Sequence, residues 1–424
     1  MNNFLDKFFF RSRNLNYISQ NLVNLTKQTP ANRIFEALNS YTESSEVRYV
    51  GGCIRKVIKK EIVDDIDLAT NLKPSEVCDA LRKKEINFYE TGIEHGTITA
   101  IIDEYKYEIT SLRKDVTTDG RHAKVEFSLD WKEDAARRDF SINSIYSDKE
   151  GNLFDPYNGK KDLESGNINF IGDAENRIKE DYLRILRYIR FFLNYSNQNH
   201  NPVIIKIIKR NIGGVSKLSS ERLIDELKKL TKSNAFIKIF KDKISLELIE
   251  FIFPQLKNLQ NFKKLNSYAF DNLSKVDFIF LLSLMIIDGT DNVDYFIYKF
   301  NISKKDQKRL LLLNNFFSNK INNKTFSKNN LQKILYFNEK QSLLDLINFQ
   351  IFKSKKVDKK LLEMIEFFKD KEPPLLPVRA ITLMNKYNIP EGRKLGIMLK
   401  KIENKWLDNN FQISEKEIQK LIKN

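Results

Sequence analysis

Two glycines, an arginine and two aspartates stand close together early in the chain: Gly51-Gly52-Cys53-Ile54-Arg55, then Asp65-Ile66-Asp67, beginning ten residues after the arginine. A glycine pair behind the apolar run at residues 47–50 lets backbone amides approach an anion. Those amides fall at the start of the next helical stretch, where phosphate binds well. Arg55 would add a charged fork to the same phosphates. In an extended segment Asp65 and Asp67 project to one face, because side chains alternate with period two. Neighbouring carboxylates repel and need a compensating charge. A pair of Mg²⁺ ions supplies it, with substrate phosphate oxygens completing the shell. Two ions about 3.5–4 Å apart can activate a 3′-hydroxyl and stabilise a departing pyrophosphate. Taken singly, Gly-Gly is also an ordinary turn and Asp-x-Asp a solvated strand end; their succession is what points to nucleotidyl transfer. A third carboxylate, Glu108, lies between Tyr107 and Ile109. It completes the cluster if its strand faces that way and is a surface residue otherwise.

These residues need a sheet to hold them. Short β-rich runs at residues 47–50, 66–69, 97–102 and 106–110 read as strands. Residues 74–84 read as a helix opened by Pro74 in its first turn. The polar stretch 113–124, with Asp119-Gly120 in its middle, reads as a mobile loop. Beyond about residue 170 the strand signals fade, and helical patterns follow one another without a Pro/Gly-rich linker. The expectation is an α+β protein: a head with a small mixed sheet and helices, then an all-helical remainder.

Composition narrows the partners. The 72 Lys+Arg against 56 Asp+Glu leave a net charge of +16, which favours a polyanion such as nucleic acid, although a Lys-rich surface alone would look the same. Cys53 and Cys78 are the only cysteines, beside His95, His122 and His200, so neither a zinc cluster nor a disulfide framework is expected. That usage suits a reducing compartment. The most apolar stretch, residues 278–287, is too short to cross a bilayer and reads as a buried helix, so no membrane partner is expected. Lys7, Arg11, Arg13 and Lys27 give the first thirty residues a basic bias. A cytoplasmic protein with an N-terminal extension is the first reading, organellar targeting the second.

The order Gly-Gly, Asp-x-Asp, apolar-Glu-apolar resembles the DNA polymerase beta superfamily of nucleotidyltransferases. Further motifs narrow it. Arg137-Arg138-Asp139-Phe140-Ser141-Ile142-Asn143, Glu180-Asp181-Tyr182-Leu183-Arg184 and Ser220-Glu221-Arg222-Leu223-Ile224-Asp225-Glu226-Leu227 resemble the class II tRNA nucleotidyltransferases and their poly(A) polymerase relatives. The likeness runs from about residue 30 to 230 and resumes faintly at Gly392-Arg393-Lys394-Leu395-Gly396. One departure stands out: Lys56 occupies a position where the family usually has Asp, which leaves the local salt-bridge geometry open.

The resemblance implies an N-terminal extension over residues 1–30, a catalytic head over 31–170, a helical neck over 171–235 that recognises the base, and a tRNA-binding body and tail over 236–424. It implies that Arg138 and Asp139 recognise the ribose, with Asp139 accepting from the 2′-hydroxyl. A deoxy substrate would then leave a buried acceptor unpaired, at about 1–3 kcal/mol. It also implies that Asp181 and Arg184 act in place of a nucleic-acid template. Arg184 can donate to N3 and O2 of cytosine or N1 of adenine, and Asp181 can accept from either exocyclic amino group. Uracil and guanine would leave both side chains unsatisfied. On the helix that follows, at about 100° per residue, Ile185, Leu186, Ile189, Phe192 and Leu193 share one face. Arg184, Arg187 and Arg190 share the other, suited to triphosphate. His95, in Thr91-Gly92-Ile93-Glu94-His95-Gly96-Thr97, reads as structural.

The activity implied is transfer of CMP, CMP and AMP from CTP and ATP to a tRNA 3′ end. The rival is a poly(A) polymerase or an enzyme restricted to the CC or the A step; an inactive RNA-binding relative is a remote third. Lysine pairs such as Lys304-Lys305, Lys355-Lys356 and Lys400-Lys401 suit phosphate contacts along the acceptor arm, or are solvated helix faces.

Overall fold

The structure, a computed structural model, describes residues 17–118, 123–233, 236–318 and 325–423. The chain divides into two compact units, Met1–Leu248 and Ile249–Asn424.

The first unit opens with helices α1 (residues 17–28) and α2 (Ala31–Asn39). Strand β1 (Val47–Val50), helix α3 (Gly52–Lys59), strand β2 (Ile66–Thr70) and helix α4 (Pro74–Lys83) follow. Next come β3 (Asn87–Gly92), β4 (Thr97–Ile102), β5 (Tyr105–Ser111), β6 (Arg113–Thr118) and β7 (Ala123–Phe127). Helix α5 (Trp131–Ala136) leads to short strands β8 (Tyr146–Ser147) and β9 (Leu153–Phe154). Seven strands form one mixed sheet in the order β3-β4-β5-β2-β1-β8-β9. Strands β2 and β5 run parallel with Asp67 opposite Glu108, whereas β1 lies antiparallel to both β2 and β8. Tyr49, Leu68, Ile98, Tyr107 and Ile109 from the sheet and Phe35, Leu38 and Leu81 from α2 and α4 share a single buried core. Ile18 and Leu22 of α1 belong to it too, so the chain joins the head from residue 17 onward. Residues 1–16, most of the expected N-terminal extension, lie outside the described residues.

The stretch expected to be a loop over residues 113–124 is instead a hairpin: β6 and β7 pair antiparallel with Arg113 opposite Phe127. Val116, Thr117 and Thr118 favour extended backbone, and Asp-Gly is a hairpin-turn signal as much as a loop signal. The turn itself, residues 119–122, lies outside the described residues. Strand β3 had no counterpart among the expected strands. It is an edge strand with Tyr89 59% exposed, so its apolar alternation is weak.

Beyond the sheet the chain is helical: α6 (Gly159–Ser165), α7 (Ala174–Glu180), α8 (Leu183–Tyr195), α9 (Pro202–Asn211), α10 (Ser220–Lys232), α11 (Phe236–Ile239) and α12 (Lys243–Ile252). Helix α8 is amphipathic as expected, with Ile185, Leu186, Ile189, Phe192 and Leu193 buried.

The second unit contains α13 (Ser267–Asn272), α14 (Phe278–Ile286), α15 (Asn292–Phe300), α16 (Lys304–Ser318), α17 (Lys328–Phe337), α18 (Lys340–Lys353), α19 (Lys359–Lys369), α20 (Ala380–Tyr387), α21 (Arg393–Asp408) and α22 (Glu415–Lys423). Helix α14 is buried at every residue, and its N-cap Asp277 accepts from Phe280 N at 2.9 Å. No helix among the described residues is long and apolar enough to cross a membrane.

Candidate active site

Where β1 gives way to α3, Gly51 adopts φ +67°, a left-handed conformation that L side chains rarely take. Its N–H donates to Ile145 O at 3.2 Å, fixing the turn against the strand β8 approach. A Cβ at Gly52 would lie 3.8 Å from Asp67 Oδ2, so the carboxylate rests against the first turn of α3. Asp67 is held in the ladder of β2. Asp65 sits just before that strand begins, at the end of the connection from α3, rather than within the strand.

Burial pushes the Asp67 carboxyl up to about 6; the negative charges of Asp65 and Glu108 add to this, and Arg138 and Arg55 oppose it only in part. Around Asp67 itself the neighbouring carboxylates are therefore only partly offset. Among the described residues no group of three or more His, Cys, Asp or Glu side chains could hold a metal ion. The carboxylates of Asp65 and Asp67 are the oxygen donors that would suit a hard cation whose remaining ligands come from phosphate and water. Glu108 stands opposite Asp67 in register and adds to the field, but it is exposed and does not line the cleft.

The cleft measures about 610 Å³, room enough for a nucleotide. Gly51, Gly52, Arg55, Asp65, Asp67, Arg138, Asp139, Asp181, Arg184, Arg187 and Arg190 all line it, so every residue singled out from the sequence except Glu108 comes together here. Nine Lys and Arg side chains face four Asp side chains around its walls, a balance suited to a polyphosphate.

Fixed ion pairs set most of those cations. Asp134, 1% exposed, is gripped by Arg137 (2.7 Å), Arg138 (3.1 Å) and the Tyr146 hydroxyl (2.6 Å). Burial opposes its ionisation, but Arg138, Arg137 and Tyr146 outweigh burial and hold the carboxyl well below the usual range. Asp139 accepts from its neighbour Phe140 N (2.9 Å), from Asn143 Nδ2 (2.8 Å) and from Arg187 Nε (2.6 Å). Against its burial, Arg187 and Asn143 bring that carboxyl down to about 2. Arg55 donates to Asn143 Oδ1, which links the phosphate-facing turn to Asp139. Arg138 thus supports the floor of the site through Asp134, one residue from the carboxylate expected to meet the ribose.

The two side chains expected to read the base are each held by another partner. Asp181 Oδ1 accepts from Leu183 N at 3.1 Å at the entry to α8, and Oδ2 accepts from Arg222 at 2.7 Å. Arg184 donates to Glu180 Oε2 at 2.6 Å and to Arg177 O at 2.8 Å. Arg190 pairs with the buried Glu226. Phe191 carries guanidinium groups over its ring from Arg190 (4.3 Å), Arg55 (4.8 Å) and Arg187 (5.4 Å), which gathers three like charges over one aromatic surface. Asn143 and Arg222, which stand in quoted motifs but were given no role from the sequence, also line the cleft, as do Phe191, Tyr195 and Lys229. Phe191 and Tyr195, four and eight residues past Arg187, carried a signal in helical spacing; Arg222 lies in the motif that opens α10, whereas Lys229, further along that helix, has no local pattern.

Comparisons with known proteins point to one family. The family model described as "Poly A polymerase head domain" matches residues 47–169, and that described as "Probable RNA and SrmB- binding site of polymerase A" matches residues 201–260. The chain is 31% identical over 408 residues to CCA tRNA nucleotidyltransferase 1, mitochondrial, of Homo sapiens, covering 92% of this chain and 90% of that protein. The chain belongs to the CCA tRNA nucleotidyltransferase family. It is accordingly a nucleotidyltransferase. A CCA-adding enzyme of Lactobacillus johnsonii is 28% identical, covering 89% of this chain and 93% of its own length. The Bacillus stearothermophilus CCA-adding enzyme in complex with CTP shares the fold at TM-score 0.70 and 18% identity, over 92% of this chain and 95% of that one. The Thermotoga maritima CCA-adding enzyme complexed with tRNA does so at TM-score 0.55 and 18% identity, over 92% and 94%. The α+β head and helical remainder expected of the family are present.

Proposed function

We propose that the chain rebuilds the CCA end of tRNA, transferring CMP, CMP and AMP from CTP and ATP and releasing pyrophosphate. The observation that carries this reading is the meeting of the Gly51-Gly52 turn, Asp65 and Asp67 with Asp181 and Arg184 in one cleft. Asp65 and Asp67 would hold Mg²⁺, which when bound polarises the phosphate and lowers the pKa of the attacking hydroxyl. The N-terminus of α3 and Arg55 face the triphosphate, where amide dipoles and a guanidinium stabilise negative charge. Asp139 retains acceptor capacity for a ribose 2′-hydroxyl beside its three present donors. Arg222 and Glu180 orient Asp181 and Arg184, so that the base meets a prearranged acceptor and donor. In this reading residues 31–170 act as head, 171–235 as neck and 236–424 as tRNA-binding body and tail. The vertebrate relatives named mitochondrial favour the organellar reading of the basic first thirty residues over the cytoplasmic one.

Poly(A) addition and the partial CC or A steps use the same head chemistry. The match to CCA-adding relatives across about nine-tenths of their length favours full CCA addition. Incubating the protein with tRNA ending at the discriminator base and each nucleotide in turn tests it. Two CMP additions and then one AMP are expected; no CMP incorporation would exclude the reading.

A further inference from the structure

Asp65 and Asp67 are held in different ways. Asp67 is a ladder residue of β2 in register with Glu108, and its position follows from the sheet. Asp65 lies at the end of the connection between Lys59 and Ile66, a segment without regular structure. Little of that connection is buried: Ile62 is 88% exposed, Glu61, Asp64 and Asp65 are exposed, and Val63 alone packs partly against the core. Three contacts bind it to α3. Lys60 closes the helix in a left-handed conformation at φ 60°, Glu61 N donates to Lys56 O at 2.8 Å, and Lys56 Nζ is paired with Asp64. Only the last reaches the residue adjoining Asp65. Lys56 also lines the cleft.

We infer that Lys56 is a positioning residue for the cation-binding pair: its ion pair with Asp64 fixes the connection into β2 so that Asp65 faces the cleft beside Asp67. The pair spans eight residues and closes the α3–β2 connection like a clasp. It also neutralises a third carboxylate that would otherwise compete with Asp65 for the same cation.

This inference rests on Asp65 and Asp67 as the cation ligands, and the experiment separates the two claims. Full-length Lys56→Asp, Asp64→Lys, the double exchange and Asp65→Ala are compared by thermal melting, by Mg²⁺ dependence of CMP incorporation, and by Mn²⁺ affinity with CTP but no RNA, read by electron paramagnetic resonance. Each single exchange is expected to weaken Mn²⁺ binding and raise the Mg²⁺ requirement about fivefold, the ceiling for so exposed a pair. The double exchange should return both to within about twofold of the parent, with CTP binding in EDTA weakened by less than Mn²⁺ binding in every variant. A Lys56→Asp protein that matches the parent would overturn the inference, as would a double exchange no better than the singles. A loss of CTP binding in EDTA as large as the loss of Mn²⁺ binding would overturn the inference and make Lys56 a direct phosphate contact instead. If Asp65→Ala keeps full activity, the ligand assignment itself fails; if it is inactive while Lys56→Asp is normal, only the positioning role does. Should a single exchange fail to fold, the melting curve shows it, and Lys56→Met against Lys56→Met/Asp64→Asn carries the same comparison.

Discussion

The two units spend their buried polar groups differently. In the first, Asp134, Asp139, Glu226, Arg55 and Asn143 are buried around a cleft, tied to Arg137, Arg138, Arg187 and Arg190. In the second, the buried residues are mostly apolar clusters such as Leu331, Leu335, Leu343, Ile347 and Phe368, or Leu383, Met398 and Ile402. Among the described residues its buried charged side chain is Asp345, paired with the half-buried Arg309, which also reaches Asp277. Burying charge is costly unless every partner is in place, so a unit that does it repeatedly is constrained residue by residue. A unit held by apolar packing is constrained mainly in volume and pattern, which many sequences satisfy. The contrast explains why recognisable motifs crowd the first unit and thin out in the second.

The largest effect expected is at the acidic pair. Asp67→Ala should lower CMP incorporation about 10³-fold or more with tRNA binding nearly unchanged, measured by single-turnover extension and filter binding. Retained activity would remove the distinction between the units at its root. Next come matched truncations of buried carboxylates. Asp134→Ala should cost about 3–5 kcal/mol in denaturant unfolding, because it leaves the half-buried Arg137 and Arg138 without their carboxylate, and Asp345→Ala should cost less, about 1–3 kcal/mol, because Arg309 keeps Asp277. Asp134→Ala should also weaken CTP binding, since Arg137 and Arg138 line the cleft, whereas Asp345→Ala should leave it unchanged while the protein is folded. Equal effects on CTP would erase the comparison.

Arg184→Ala should relax the preference for CTP over UTP by about 10²-fold, the scale of leaving a base edge unpaired. Unchanged selectivity in competition assays would exclude the protein-template reading. A smaller effect concerns acid. Asp134 and Asp139 are both depressed in the folded protein, so their stabilisation is complete above the ordinary carboxylate value of about 3.9 and is lost as pH falls through the folded values. Unfolding free energy should drop between about pH 4 and 2, and Asp134→Asn should remove about 2 kcal/mol of that drop. The smallest effect is on the second unit's surface. Lys304→Ala with Lys305→Ala, both exposed, should weaken tRNA binding a few-fold and lower the salt slope by about 1–2, leaving the turnover of bound tRNA intact.

What could be read from the chain follows the same division. Strands β1 and β4 and the buried helix α14 were legible because apolar periodicity and bounding turns agree there. The hairpin of β6 and β7 was not, since Asp119-Gly120 marks loop and hairpin alike. The cleft residues carried by local motifs were legible as a group. Asp134 was not, although it anchors Arg137 and Arg138: its partners include Tyr146, twelve residues on, and an isolated Asp in a helix looks like surface. The pairing of Asp181 with Arg222 spans 41 residues and has no local signature. Strand β2 begins at Ile66, where the pattern placed it, so of the acidic pair Asp67 lies in the strand and Asp65 in the extended residue ahead of it.

The most direct test is anomalous diffraction from crystals of the protein with CTP and Mn²⁺. The account predicts manganese density at bonding distance, about 2.1 Å, from carboxylate oxygens of Asp65 and Asp67, shared with the nucleotide's phosphates. Manganese bound elsewhere, with both side chains turned to solvent and away from the triphosphate, would contradict it.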